Sequence, residues 1–319
     1  MLARRHALSL GLALPAFSQS FPTRPIRLIV GFPPGGGSDL VARPIAQRMS
    51  EALGQQVVVE NRGGANGNLA LGELARSAPD GYSIGHVNDS VIAINPLLYR
   101  NLPYDPARDL TPIALATVGG MFVMVPADLP VRTLPELVAL ARARPGQLNF
   151  GSAGQGSVTH LAYELFARQA GVVMEVVTYR GSAPALQDML GGRVQLMIDG
   201  INLAKSQIEA GRVRAIAFIG GTERHLHFPD VPTTTEQGMP GFVMRGWQGF
   251  VGRAGTPEPV LDALENAVRL ALDDPAVTAL FASQGVVPRF AGRAAMGRAI
   301  ADHTALWRPV IAELGLRLD

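Results

Sequence analysis

The sequence predicts an α/β fold of two intertwined domains, each a sheet flanked by helices. Three observations point there. Runs rich in β-branched residues alternate with stretches of helical spacing, which is the pattern of strand–helix units. The chain has 319 residues, beyond the ~150 that one domain commonly uses. Apolar residues make up 47% against 17% charged, enough to fill buried cores. No Pro-, Gly- or Ser-rich linker separates two halves, so more than one crossing between the domains is expected.

The elements follow in order. Residues 1–20 stand apart: Arg4-Arg5-His6 gives a positive start, residues 7–17 are apolar, and small Ser18 and Ser20 follow. This is the layout of a secretory signal peptide cleaved near residue 20, and the arginine pair resembles a twin-arginine export signal. Residues 26–32 then read as a buried strand. Leu40, Val41, Ile45, Met49 and Leu53 mark one face of a helix over 38–53. A strand over 56–61, a helix near 69–77 and a strand near 82–87 come next. Thr133-Leu134-Pro135-Glu136 is a capping box with proline in the first turn. Strands are expected near 148–150, 176–179, 194–198 and 213–219, with helices at 157–170, 183–190 and 203–210. Thr256-Pro257-Glu258 opens a helix to about 272, and 294–314 is helical. Such alternation leads to the expectation of parallel sheets covered on both faces.

Composition excludes several function classes. Cysteine is absent, so there is no disulfide, thiolate metal site, cysteine nucleophile or lipid-modified N-terminal cysteine. Lys205 is the single lysine, and no Gly-Lys-Ser/Thr triplet occurs, which removes a phosphate-binding P-loop. Arg4 and Arg5 account for the whole formal charge of +2. The chain beyond residue 20 is therefore balanced, which argues against nucleic acid or an anionic membrane as a partner.

Three glycine-rich turns stand between a strand and a helix: Phe32-Pro33-Pro34-Gly35-Gly36-Gly37-Ser38-Asp39, Gly151-Ser152-Ala153-Gly154-Gln155-Gly156-Ser157, and Arg180-Gly181-Ser182. At a helix N-terminus, unpaired N–H groups and the positive dipole end attract an anion. Glycine lets the backbone approach a ligand with no Cβ in the way. Two such turns from separate domains would grip a small anion from both sides. Neither turn matches G-x-G-x-x-G, so no nicotinamide or flavin cofactor is expected. Gly81-Tyr82-Ser83-Ile84-Gly85 fits G-x-S-x-G, but Pro79-Asp80-Gly81 is a turn and puts Ser83 at a strand start. His225-Leu226-His227 with Asp230 lacks a third spaced ligand and reads as exposed loop histidines rather than a metal site. His160 either caps, packs or faces a crevice. Asp199 ends a strand where ligands bind and either meets a ligand amine or hydroxyl or holds a loop. Trp247, among glycines, is read as a pocket wall in preference to core.

These motifs add up to a resemblance. FPPGGGSDLVAR, VVVENRGGANGN, APDGYSIG, INPLLYRNLPYDPARDLTPI, GSAGQGSVTHLAYELF, YRGSAPALQDMLGGRVQLMID and PDVPTTTEQGMPGF resemble, in family order, the Bug family. These are periplasmic substrate-binding proteins of tripartite tricarboxylate transporters, and the likeness covers the whole chain after residue 20. It implies the type II periplasmic binding-protein fold, a Venus flytrap that closes around a small carboxylate held by backbone amides and bridging waters. It implies no enzyme activity, no cofactor, and a monomer that delivers its ligand to membrane permease subunits. The alternatives are the ligand-binding part of a membrane sensor, or an exported hydrolase using Ser83 or Ser157. Domain 1 would span 21–120 and 248–319, and domain 2 would span 121–247, with crossings near 119–121 and 246–250. The implied ligand loops hold Phe32, Pro34, Gly35 and Gly36; Ser152, Ala153, Gly154, Gly156 and Ser157; and Asn88 with Ser90. Asp199 and Trp247 complete the expected site. The chain departs from the family at Thr178-Tyr179-Arg180-Gly181, often Pro-Tyr-Lys-Gly, and at His86-Val87-Asn88-Asp89-Ser90, often Thr-Asn-Ser. The added acid at Asp89 either changes the ligand or points away from it.

Overall fold

Residues 26–30 are apolar apart from Arg27, which pairs with Glu60 and Glu73, because the rest of their strand is buried on both faces. Ile26, Leu28 and Val30 of β1 (Ile26–Val30) pack into one core and Ile29 into another. The computed structural model describes residues 21–318; the export-signal reading at 1–20 lies outside them. From β1 the chain enters α1 (Gly37–Leu53), β2 (Val57–Asn61), α2 (Asn68–Ala75) and β3 (Ser83–Asn88). A π-helical turn (Ser90–Ile94) and the short α3 (Asn95–Leu98) and α4 (Pro106–Asp109) lead to β4 (Leu110–Gly120).

The second lobe follows directly. It contains β5 (Phe122–Pro126), α5 (Leu134–Ala143), β6 (Asn149–Ser152), α6 (Val158–Ala170), β7 (Glu175–Thr178), α7 (Ser182–Leu190), β8 (Met197–Asp199), α8 (Ile201–Glu209) and β9 (Val213–Phe218). Thr133 caps α5 as its sequence predicts, its side chain accepting from Glu136 N. The chain then returns through β10 (Arg245–Arg253), α9 (Glu258–Asp273), α10 (Pro275–Gln284), β11 (Val287–Gly292) and α11 (Arg293–Leu314).

The first sheet has six strands in the order β11-β4-β10-β3-β1-β2. β1 pairs in parallel with β2 and β3, whereas β10 runs antiparallel to both β3 and β4. In the second lobe β5 is antiparallel to β8 and β9, and β6 and β7 are parallel. Bonds from Gly151 N to Leu196 O and from Gln195 N to Asn149 O, both 2.9 Å, tie the two small sheets together. The sheets are thus mixed, not parallel as expected. The reason is connectivity. β1, β3 and β8 end at the opening between the lobes, while β10 and β5 arrive from the other lobe and start there, so they must run the opposite way.

Each sheet is covered on both faces. α1 and α9 pack on one face of the first sheet, and α2 with the start of α11 on the other. In the second lobe Val123 and Val125 face α5 and α6, while the alternate residues Phe122 and Met124 face α7 and α8. α11 serves both lobes: Met296 packs under the first sheet, but Trp307 and Ile311 sit in the second lobe's core with Ile94 and Leu98. Segments before 120 and after 248 therefore contribute to the second core as well. Between β4 and β5, the backbones of Gly120 and Gly220 nearly touch: a methyl on Gly120 would stand 2.0 Å from Gly220 Cα. Only glycine fits that approach.

Candidate ligand-binding cleft

The opening between the lobes is a cavity of about 160 Å³. That suits a small metabolite and falls below the ~300 Å³ at which drug-sized pockets begin. Four helices aim their N-termini at it: Gly36-Gly37-Ser38 of α1, Ser157-Val158-Thr159 of α6, Gly181-Ser182-Ala183 of α7 and Gly200-Ile201-Asn202 of α8. The first N–H groups of each have no intrahelical acceptor, and each end carries the equivalent of about half a positive charge. Arg245 is the one Arg or Lys side chain among the lining residues.

Local bonding fixes these ends. Asp39 Oδ2 accepts from Gly35 N at 3.0 Å and Arg43 Nε at 2.8 Å, and Oδ1 accepts from Asn61 Nδ2 at 2.9 Å. Burial pushes the Asp39 carboxyl up, but these bonds outweigh it and hold it below the ordinary range. At α6, Ser157 Oγ accepts from His160 N at 3.3 Å and lies 2.8 Å from Thr159 Oγ1, which accepts from Ala153 N at 2.9 Å. The lobes meet around the cavity. Asn66 Nδ2 donates to Gly156 O at 3.2 Å, and a methyl on Gly181 would stand 3.0 Å from Pro33 Cδ.

Of the residues expected in the site, Phe32, Gly36, Asn88, Ser90, Ala153, Ser157, Asp199 and Trp247 line the cavity. Pro34, Gly35, Ser152, Gly154 and Gly156 do not. Pro34 and Gly35 are exposed on the outside of the first turn, and the Gly35 N–H is held by Asp39. Ser152 is fully buried, and its hydroxyl bonds within the second turn to Gly154 O at 2.9 Å. Gly154 faces Tyr179 O behind the turn, and a side chain at Gly156 would strike Leu318 Cδ1 at 2.4 Å. These residues shape the turns rather than face the opening.

Other assignments change too. His225 is no exposed loop residue: it is 6% exposed, packs edge-on against Phe122 and Phe218, and lines the cavity. Its Nδ1 accepts from His227 N at 3.2 Å, which leaves the proton on Nε2, and burial drops its pKa to about 4. Among the described residues no His, Asp or Glu trio is placed to hold a metal. His160 caps: its Nδ1 accepts from Gly156 N at 3.0 Å. Ser83 is the first residue of β3, paired opposite Arg27, with no helix following as a nucleophile elbow requires. Trp247 is wall and core together, 5% exposed and edge-on to His303 at 5.8 Å. Asp199 lines the cavity, takes the Gly200 N–H on Oδ1 at 2.7 Å and is pushed by burial to about 6. The α8 end was not anticipated, although Asp199-Gly200 repeats the strand–glycine–helix signal of the other three turns. Thr117, Gly119 and Arg245 lie on the crossing strands β4 and β10, where the sequence shows no comparable motif.

The geometry agrees with what the chain is similar to. The family model described as "Tripartite tricarboxylate transporter family receptor" matches residues 41–316. Protein BugT of Bordetella pertussis (strain Tohama I) is 36% identical over 309 residues, covering 97% of this chain and 94% of that protein. The solved structure of R. palustris Rpa4515 with adipate superposes with a TM-score of 0.89 at 35% identity, over 93% of this chain and 99% of that one. MatC from Rhodopseudomonas palustris with bound malate gives 0.86 at 32% identity, over 91% and 100%. The chain belongs to the tripartite tricarboxylate transporter receptor family of periplasmic solute-binding proteins, the family of the Bug proteins.

Proposed function

We propose that this protein captures a small carboxylate between its lobes, without transforming it, and delivers it to the permease subunits of a tripartite tricarboxylate transporter. The observation that carries this reading is the convergence of four helix N-termini on one small cavity that has a single, exposed Arg and no Lys. Backbone N–H groups and dipole ends neutralise an anion there without a fixed cationic side chain. The adipate and malate in the two related structures are small acids of this kind. The lobes are residues 21–120 with 248–319 and residues 121–247, the end of α11 docking on the second. They close as a monomer by a hinge at 119–121 and 246–250, and the ligand favours closure through contacts made only in the closed state. Residues 1–20 direct export to the periplasm. The test is a thermal-shift panel of mono-, di- and tricarboxylates and aromatic acids on the mature protein. A true ligand at 100 times its Kd adds ~2.7 kcal/mol, a visible rise in midpoint. A flat panel, with no acid found by mass spectrometry of the denatured protein, removes the carboxylate reading.

A further inference from the structure

We propose that Asp89 selects a ligand bearing a cationic amino group beside its carboxylate, that is, a small amino-carboxylic acid. The inference rests on the carboxylate reading above and adds a second recognition element to it. Asp89 follows β3, is 3% exposed and lines the cavity. Its Oδ1 accepts from Ser90 N at 3.0 Å, while its Oδ2 has no hydrogen-bond partner. One oxygen is thus anchored and the other is presented as a bare acceptor. His303 Nδ1 of α11 approaches Oδ2 to 3.5 Å without forming a hydrogen bond, and burial holds that imidazole below its ordinary range, hence neutral. No Arg or Lys pairs with Asp89 among the described residues. Asp199 repeats the arrangement on the second lobe: Oδ1 holds the Gly200 N–H, Oδ2 has no hydrogen-bond partner, and the Ser182 hydroxyl is the polar group beside it.

Helix N-termini account for an anion, but they do not account for two carboxyls in the same cavity. Ionised, such groups repel a purely anionic ligand, and a buried carboxylate without a counter-charge is costly. An ammonium group supplies both the charge and the donors that the free oxygens lack, in charge-assisted bonds. The competing occupant is a second ligand carboxylate, bonded by a protonated Asp89. Asparagine reproduces that neutral donor but not the negative charge, so Asp89→Asn separates the two.

The experiment is calorimetric titration of the mature protein and of Asp89→Asn with matched acids: propionate and alanine, succinate and aspartate, glutarate and glutamate. We expect the amino member of at least one pair to bind the wild type roughly tenfold tighter or more, the scale of a charged hydrogen bond. That advantage disappears in Asp89→Asn while the amino-free acid keeps its affinity. Acids that bind with no amino preference, or an amino-free acid that binds tighter and survives Asp89→Asn, overturn the proposal and leave the carboxylate reading intact. No binding by any of the six overturns the proposal, and the wider acid panel with mass spectrometry then decides the carboxylate reading separately. If Asp89→Asn does not fold, the wild-type comparison within each pair still decides whether an amino group is preferred, and Asp199→Asn, which keeps the preference if Asp89 is the selector, decides which carboxyl is responsible.

Discussion

Ser157→Ala probes the cap of α6 and the anion site together. In the wild type Ser157 Oγ accepts the His160 N–H at 3.3 Å and is 3% exposed. Losing an N-cap serine costs about 1 kcal/mol. Thr159 Oγ1 lies 2.8 Å from Ser157 Oγ, so this hydroxyl–hydroxyl bond is lost as well, at about 1 kcal/mol more. A combined loss of about 2 kcal/mol corresponds to a midpoint roughly 4 °C lower in a chain of this size. Ser157 also lines the cavity, so a bound carboxylate should bind about tenfold weaker when it loses a hydroxyl donor. Ser157→Asp is the companion variant. Aspartate caps as well as serine, yet it puts a carboxylate where the ligand's would sit. Thermal melts and calorimetric titration with the tightest acid from the panel read both effects. The expected pattern is lower stability and weakened binding for Ser157→Ala, and binding abolished for Ser157→Asp. A Ser157→Ala midpoint equal to wild type refutes the cap assignment, and wild-type affinity in Ser157→Asp refutes the α6 N-terminus as an anion site.

Three further outcomes are expected. Gly120→Ala pushes a methyl against the Gly220 backbone, and overpacking of that kind costs about 1–3 kcal/mol; an unchanged urea midpoint shows that the two strands separate freely. Asp39→Ala removes the acceptor of Gly35 N and Arg43, so the first glycine turn loosens and acid affinity falls several-fold by titration; wild-type affinity would detach that turn from the site. His86 is 4% exposed with both ring nitrogens unpartnered, and burial lowers its pKa from 6.5 to about 4. The unfolded chain therefore binds the proton more readily, and the stability tied to His86 is full above pH 6.5 and lost as pH falls toward 4. His86→Phe removes that loss, so urea midpoints of the variant should gain on wild type between pH 6.5 and 4.5; a difference that ignores pH would contradict the assignment.

Local signals read well where they were strong. The capping box at Thr133, the apolar spacing of α1 and the β-branched runs of β1 and β2 each mapped onto the element they predicted. Elements of weak local signal were missed. β10 holds three glycines in nine residues (RGWQGFVGR), which reads as loop, and its strand pairing comes from β3 and β4 on either side. The turn Ser90–Ile94 and α3 are held by distant partners, Asn66, Asn68 and Trp307 among them.

The site divides in the same way. The first, second and third glycine turns were legible because a helix N-terminus after a strand is a local pattern with a fixed electrostatic consequence. Which residues of those turns face the opening was not, because Ser152 and Ser157 differ only in direction, and direction follows from packing. His225 looked like a solvated loop residue until Phe122, far away in sequence, and Phe218 at the end of β9 enclosed it. By itself, then, the sequence determined the strand–helix alternation, the absence of thiol chemistry and of a phosphate-binding P-loop, and the anion-attracting turns, all of which depend on composition or on neighbours within a few residues. Only the tertiary structure decided the mixed sheets, the shared α11, and the meeting of four helix ends with two bare carboxyl oxygens. Those depend on strands crossing between lobes, and that long-range pairing sets which side of each turn is buried.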